Sequence, residues 1–369
     1  MKLERLRIRG FRNIPAADLV FRSRRAVVLG ANGQGKTNLL EAIHLLCHTR
    51  AFRTGRLRQL VRQGRAGEPE AETFLVEGAI ATARRGLRQA RAQCQGGALV
   101  FELDGERCRG RDYFGQLPLV LLSPESLQVS QGGPEERRRT LDRLISAASP
   151  LYLDHLLRYQ RALRQRGALL AQEGARAPGL EAWERELARS GLELTRRRRD
   201  FAARLGGRVA DLHRRHFRPA AAFALGYEAS LDETREEEAV AAALAADREG
   251  DARRGWCRLG PHRDELPVTL EDLPLRVFGS QGQHKLFMLC LVLAETELLK
   301  ELTGETPLLL LDDLFGLLDD ERIQALAAAV DPEAQVLIST TSLRHVELLG
   351  PAEDMQVLHC RDGRFSEAA

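Results

Sequence analysis

Residues 30–37 read Gly30-Ala31-Asn32-Gly33-Gln34-Gly35-Lys36-Thr37, filling every fixed position of the pattern G-x-x-x-x-G-K-[ST]. These residue types suit a polyphosphate. Glycines let successive backbone N–H groups turn inward around phosphate oxygens, and a helix N-terminus adds the positive end of its dipole. Lys36 supplies a point charge to the β- and γ-phosphates, and the Thr37 hydroxyl can ligate Mg2+. Such a cradle needs an acidic partner for metal and water. Leu308–Leu311 followed by Asp312-Asp313 is an apolar strand ending in two carboxylates. Asp312 is expected to support the metal and Asp313 to polarise an attacking water. Shortly before it, Ser280-Gln281-Gly282-Gln283 opens a helix. Ser280 is a good N-cap and Gly282 allows close backbone approach, so this turn, with Gln283, is a second anion site. ATP or GTP, with Mg2+, is the expected ligand.

The elements around these residues fit that chemistry. The apolar run 26–29 is a strand entering the cradle, and Leu39, Ile43 and Leu46 form the inward stripe of the helix leaving it. Further strands are expected at 6–8, 73–76, 99–103 and 117–122, with a tight hairpin at Asp104-Gly105. From about 134 to 215 the apolar period becomes helical, broken at 174–179 by glycines and Pro178. Residues 228–255 are acidic and alanine-rich, with a possible helix. Strand patterns return at 308–311, 336–338 and 356–360, the last followed by Asp362-Gly363. Some 275 residues separate the cradle from the acidic strand, so an intervening lobe is required. The expected fold is α/β: a P-loop head with mixed sheets built from both ends of the chain (1–122 and 256–369), plus an inserted helical lobe (123–255).

Composition narrows the class. With 44% apolar and 29% charged residues and a net charge of +3 over 369 residues, the chain is globular rather than disordered. No apolar run approaches 18 residues and the start lacks a secretory pattern, so a cytoplasmic home without membrane attachment is expected. Six cysteines (47, 94, 108, 257, 290 and 360) never pair as C-x-x-C, which supports neither zinc nor redox chemistry. Charge is segregated. Residues 131–220 hold 20 arginines against 11 carboxylates, while 221–250 hold 2 against 8. A basic central block is the footprint of a polyanion partner, or else a solvated helix face laced with Glu–Arg pairs.

In this order, the cradle, the Ser-x-Gly-Gln turn and the acidic strand resemble the ABC-type ATPase heads related to SMC proteins. Further segments resemble the bacterial RecF family of recombination and repair proteins. They are Phe11-Arg12-Asn13, Ala51-Phe52-Arg53-Thr54, Ser123-Pro124-Glu125-Ser126-Leu127, and Gly132-Gly133-Pro134 with Arg137-Arg138 and Leu141-Asp142. Arg161-Ala162-Leu163-Arg164-Gln165-Arg166 and Gly260-Pro261-His262-Arg263-Asp264 complete the set. The resemblance implies ATP binding, head-to-head dimerisation on ATP, and binding to single-stranded and gapped double-stranded DNA. It implies slow, DNA-stimulated hydrolysis that releases the dimer. It also implies assistance to recombinase loading with the mediators RecR and RecO, and to SOS induction. Ser280 and Gly282 would contact the γ-phosphate held by the opposite subunit. Most ABC heads carry Glu where Asp313 stands, and Asp fits the RecF pattern and slow hydrolysis. Gly316 and Leu317 replace a serine and a glutamate of most relatives, while Asp319 matches. Ser339-Thr340-Thr341 replaces the post-strand histidine of transporter ATPases, and Thr340 is the expected γ-phosphate sensor.

Arg53 is expected either to reach DNA or phosphate or to cap the first helix. Arg137, Arg138 and Arg139 stand at a helix start, where basic charge opposes the dipole and so invites an external anion. Of Arg196–Arg199, one or two are expected to meet DNA, and His262 is expected to be structural or DNA-facing. Charge reversal at Arg248, inside the acidic stretch, is expected to do little to DNA binding. Two other readings remain open, an ATPase subunit of a membrane transporter and a nucleotide-gated structural clamp with incidental hydrolysis.

Overall fold

The computed structural model describes residues 1–53, 56–62, 73–217, 222–313, 319–342, 344–348, 351 and 354–367. The chain divides into two units. Met1–Leu127, Asp211–Ala220 and Ser280–Ala369 form the first, and Gln128–Ala210 with Ala221–Gly279 the second. Among the described residues no helix is long and apolar enough to cross a membrane.

The strands in chain order begin with β1 (Lys2–Phe11), β2 (Ile14–Val20) and β3 (Arg25–Leu29). After the first helix, Lys36–His48, come β4 (Leu75–Thr82), β5 (Gly86–Gln95), β6 (Ala98–Leu103), β7 (Glu106–Cys108) and β8 (Leu119–Leu122). The middle of the chain adds β9 (Phe223–Leu225), β10 (Val268–Leu270) and β11 (Leu273–Pro274). The end adds β12 (Leu308–Leu311), β13 (Val336–Thr340), β14 (Met355–Arg361) and β15 (Arg364–Glu367).

The first unit is built on two sheets. One is antiparallel, in the order β2-β1-β4-β5-β6-β7. The other, β15-β14-β3-β13-β12-β8, is parallel apart from its terminal hairpin. Leu39, Ile43 and Leu46 of the first helix share one buried core with Leu6, Ile8 and Val76 of the first sheet and Val28, Leu310 and Leu337 of the second. The all-leucine β12 is buried along its whole length, as a parallel central strand must be. At the hairpin between β6 and β7, Asp104 and Gly105 have φ of 56° and 85°, the doubly positive turn that the dipeptide predicts. The sequence pattern misses β5, whose inward positions are Arg88, Ala90, Ala92 and Cys94. Small or charged residues there leave almost no apolar alternation to read, and Arg88 is satisfied by Asp104 Oδ2 at 2.5 Å.

In the second unit, helices Pro134–Ala148 and Pro150–Glu173 each open on a proline, which forfeits only an N–H that has no intrahelical partner. The third, Leu180–Phe217, of which the part up to Ala210 belongs to this unit, follows the predicted break, where Gly174 and Gly179 take φ of 79° and 86°. The acidic stretch folds as helices Glu237–Ala246 and Arg248–Arg254, and β9, β10 and β11 form a small antiparallel sheet.

Candidate nucleotide-binding site

The cradle hangs between β3 and the first helix. Gly33 and Gly35 have φ of 77° and 119°, a region that favours glycine. A Cβ on Gly35 would come within 2.7 Å of Asn13 Oδ1, and one on Gly30 within 2.3 Å of the Cys360 carbonyl. Asn13 Nδ2 donates to the Gln34 carbonyl at 3.0 Å, and Asp362 N–H donates to Gln34 Oε1 at 2.8 Å, so the loop is pinned from two sides. Ala31, Asn32 and Gly33 are exposed at its tip. Lys36 is 6% exposed, and its Nζ donates to the carbonyls of Gly30 (2.7 Å) and Ala31 (2.9 Å). Its ammonium therefore lies inside the cradle, held by two acceptors that phosphate oxygens can replace.

The parallel order β3-β13-β12 brings the acidic strand to the same edge. Asp312 is buried, and its Oδ1 accepts from Thr37 Oγ1 at 3.0 Å across 275 residues of sequence. Ser339 Oγ donates to the same oxygen at 2.6 Å and accepts the Asp313 N–H at 2.9 Å. Burial raises the Asp312 pKa above the ordinary carboxylate value, against the hydrogen bonds from Ser339 and Thr37. Hydroxyl and carboxylate oxygens meeting at this edge are the hard donors Mg2+ prefers, so Thr37 and Asp312 fit that ion. Asp313 is exposed, with φ of 47°, a left-handed conformation that aspartate tolerates better than most residues.

Sequence reasoning placed Ser339 after the strand but gave it no role, choosing Thr340 instead. Leu311 pairs with Ile338, so Asp312 falls beside Ser339 rather than Thr340, and that register is invisible in either segment alone. Thr340 is also buried. Its carbonyl accepts the Gly30 N–H at 3.2 Å, tying β13 to the start of the cradle, and its Oγ1 accepts from Ser342 N–H at 3.2 Å.

Ser280 is exposed and caps helix Gln281–Thr303 with a reciprocal box. Its Oγ accepts the Gln283 N–H at 3.2 Å, and Gln283 Oε1 accepts the Ser280 N–H at 2.7 Å. Gly282 faces Arg322, whose guanidinium would lie 3.3 Å from an added Cβ. Arg322 pairs with Asp319, which itself caps helix Asp320–Ala329. Thr54, Gly316 and Leu317 lie outside the described residues.

The arginines singled out for DNA make contacts within the chain. Arg137 is 8% exposed, grips both oxygens of Glu265 at 2.9 Å and donates to the Gly132 carbonyl at 3.0 Å. Arg138 donates to the Asp264 carbonyl at 2.6 Å, and burial lowers its pKa. The Arg137 fork is held by Glu265 from within the second unit, and Arg138 has its Nη1 engaged there. Arg139 pairs with Glu135 and Glu136. Arg198 is buried between Asp142 (2.9 Å) and Asp264 (3.0 Å), Arg197 pairs with Glu193, Arg199 with Glu233, and Arg196 donates to the Glu233 carbonyl. Arg248 Nε reaches the buried Glu184 at 2.9 Å. Arg53 bonds to Asn38 and, at 2.8 Å, to Glu41, where Arg12 also converges. Burial alone would raise the Glu41 pKa, but the hydrogen bonds from Arg12 and Arg53 outweigh it and the value is lowered. His262 takes the structural alternative, with Nδ1 against Tyr159 Oη at 2.6 Å and Nε2 against the Cys257 carbonyl at 2.9 Å.

Residues 2–363 match the family model described as the RecF/RecN/SMC N-terminal domain. The chain is 39% identical over 357 residues to the DNA replication and repair protein RecF of Anaeromyxobacter sp. (strain Fw109-5), covering 94% of each chain. It is 36% identical to that of Myxococcus xanthus, covering 92% of this chain and 91% of the relative. Among solved structures it is similar to the recombination mediator protein RecF-ATPrS of the RecFOR pathway, with a TM-score of 0.88 at 29% identity, covering 100% of this chain and 98% of that one. An Smc head domain from Pyrococcus furiosus shares the fold, with a TM-score of 0.58 at 16% identity.

Proposed function

The chain belongs to the RecF family, and we propose that it is an ATP-gated DNA-binding protein of replication and recombinational repair. The observation that carries the reading is the Thr37–Asp312 contact at 3.0 Å, which joins cradle and acidic strand into one site. Residues 30–37 bind the triphosphate, Lys36 exchanging its two carbonyl acceptors for β- and γ-phosphate oxygens. Mg2+, held by Thr37 and Asp312, neutralises phosphate charge when bound. Asp313, exposed at the strand end, takes the proton of the attacking water, and Ser339 fixes the backbone that presents it. Thr340 senses the γ-phosphate. Ser280, Gly282 and Gln283 contact the nucleotide of a second copy, so ATP assembles a homodimer.

The dimer holds single-stranded or gapped duplex DNA, slow hydrolysis releases it, and the inserted lobe serves DNA and the mediators RecR and RecO. The setting is the cytoplasm, where the complex assists recombinase loading and SOS induction. The test is fluorescence anisotropy on gapped duplex, with light scattering, with and without ATP. The wild-type chain should dimerise and retain DNA only with ATP, and Lys36→Ala should do neither. Equal DNA retention by Lys36→Ala with ATP would overturn the gating.

A further inference from the structure

We propose that Trp256, together with the arginines stacked against it, is a base-stacking platform for single-stranded nucleic acid. Trp256 is one of only two tryptophans in the chain and is 46% exposed. The Arg263 guanidinium lies 3.9 Å from the indole centroid, and that of Arg254 lies 5.3 Å away. A large aromatic left in solvent costs solubility, yet here it is held in place from beneath.

The turn that carries it is fixed on both sides. Gly255, in a left-handed conformation with φ of 75°, closes helix Arg248–Arg254 through a hydrogen bond to the Asp251 carbonyl at 2.9 Å. Asp251 Oδ1 accepts the Arg258 N–H at 3.1 Å, and Asp251 Oδ2 is held by the buried Arg166 at 2.7 Å. On the other side the Cys257 carbonyl accepts from Arg263 Nε at 3.2 Å and meets His262 Nε2 at 2.9 Å. Arg263 therefore cannot swing away from the ring without losing a second bond. Held in this way, Trp256 still keeps 46% of its surface exposed. The scaffold instead removes the conformational freedom that a bound ligand would otherwise have to remove.

Chemistry selects the ligand. Stacked indole and guanidinium planes accept the π-face of any base, while arginine charge attracts the adjoining phosphate. Residues 247–263 hold five arginines against three carboxylates, and the exposed Arg253 has no carboxylate partner among the described residues. Bases inside a duplex are already stacked on one another, so the ligand is an unpaired strand. This rests on the proposed DNA-binding reading and deepens it by naming where unpaired bases are held.

The test uses the full chain carrying Trp183→Phe, which leaves Trp256 as its one tryptophan. With ATP and Mg2+ present throughout, its emission is titrated with oligothymidylate and with an abasic oligomer of equal length, and anisotropy of the labelled oligomer is followed in parallel. Oligothymidylate should quench the emission in step with binding, and the abasic oligomer should bind without quenching. Trp256→Ala should weaken oligothymidylate binding about 5- to 150-fold, the span measured for one stacked base, while leaving abasic binding unchanged. Trp256→Phe should retain most of the affinity, which separates a lost stacking face from a misfolded turn. Binding without quenching, with Trp256→Ala as tight as the parent, would overturn the platform and leave the DNA-binding reading standing. No anisotropy change on any DNA would overturn both.

Discussion

Ser339→Ala isolates the residue on which the acidic edge of the site turns. The substitution deletes the 2.6 Å hydrogen bond to Asp312 Oδ1 and the acceptor for Asp313 N–H at 2.9 Å. A hydrogen bond to a charged group contributes about 1.5–3 kcal/mol and a neutral one about 0.5–1.5 kcal/mol, so the loss sums to about 2–4.5 kcal/mol. In a unit of this size each kcal/mol moves Tm by roughly 2–4 °C, giving a fall of roughly 4–18 °C by scanning calorimetry. The Asp312 carboxyl is already raised by burial, and losing the Ser339 bond that opposes this raises it further. Mg2+-dependent ATP turnover should therefore fall more than ATP affinity measured without metal, and Ser339→Thr should restore both stability and turnover. A Ser339→Ala chain that melts with the parent and hydrolyses ATP at the parental rate would refute the role given to this side chain.

Two further outcomes follow from the second unit. Burial pushes the His262 pKa down from 6.5 to about 4, so between those values the unfolded chain binds more protons than the folded one. The stability held above pH 6.5 should be lost as pH falls toward about 4, and His262→Asn should flatten that limb in tryptophan emission, since Trp183 and Trp256 both lie in this unit. Arg137→Gln strands Glu265 and should cost about 3 kcal/mol in urea unfolding. It should leave the salt dependence of DNA binding unchanged, because Glu265 and the Gly132 carbonyl occupy the Arg137 guanidinium, and a flattened slope would mark it as a DNA ligand.

The legible parts of this protein are those whose chemistry is local. A contiguous glycine-rich octapeptide between an apolar strand and an apolar-striped helix announces itself, as do a tetraleucine run ending in two aspartates and the Asp-Gly turns. The alternating Arg88, Ala90, Ala92 and Cys94 of β5 carry no hydrophobic signal, and their burial depends on neighbouring strands. Ser339 was hidden for the same reason, since only the pairing of Leu311 with Ile338 puts it beside Asp312. Charge on a predicted helix says nothing of its partner. Glu265 lies 128 residues from Arg137, and Asp264 66 residues from Arg198. The Gly-Pro-His-Arg-Asp motif supplies one of these internal partners, Asp264.

The central claim is that Thr37 and Asp312, 275 residues apart, serve one metal–nucleotide site. The direct measurement is ATP affinity with Mg2+ and with EDTA for the parent chain, Thr37→Val, Asp312→Asn and the double variant. The parent should gain roughly tenfold or more from Mg2+, either single variant should lose that gain, and the double variant should lose no more than either. A parent chain indifferent to Mg2+, or losses that add in full, would contradict it.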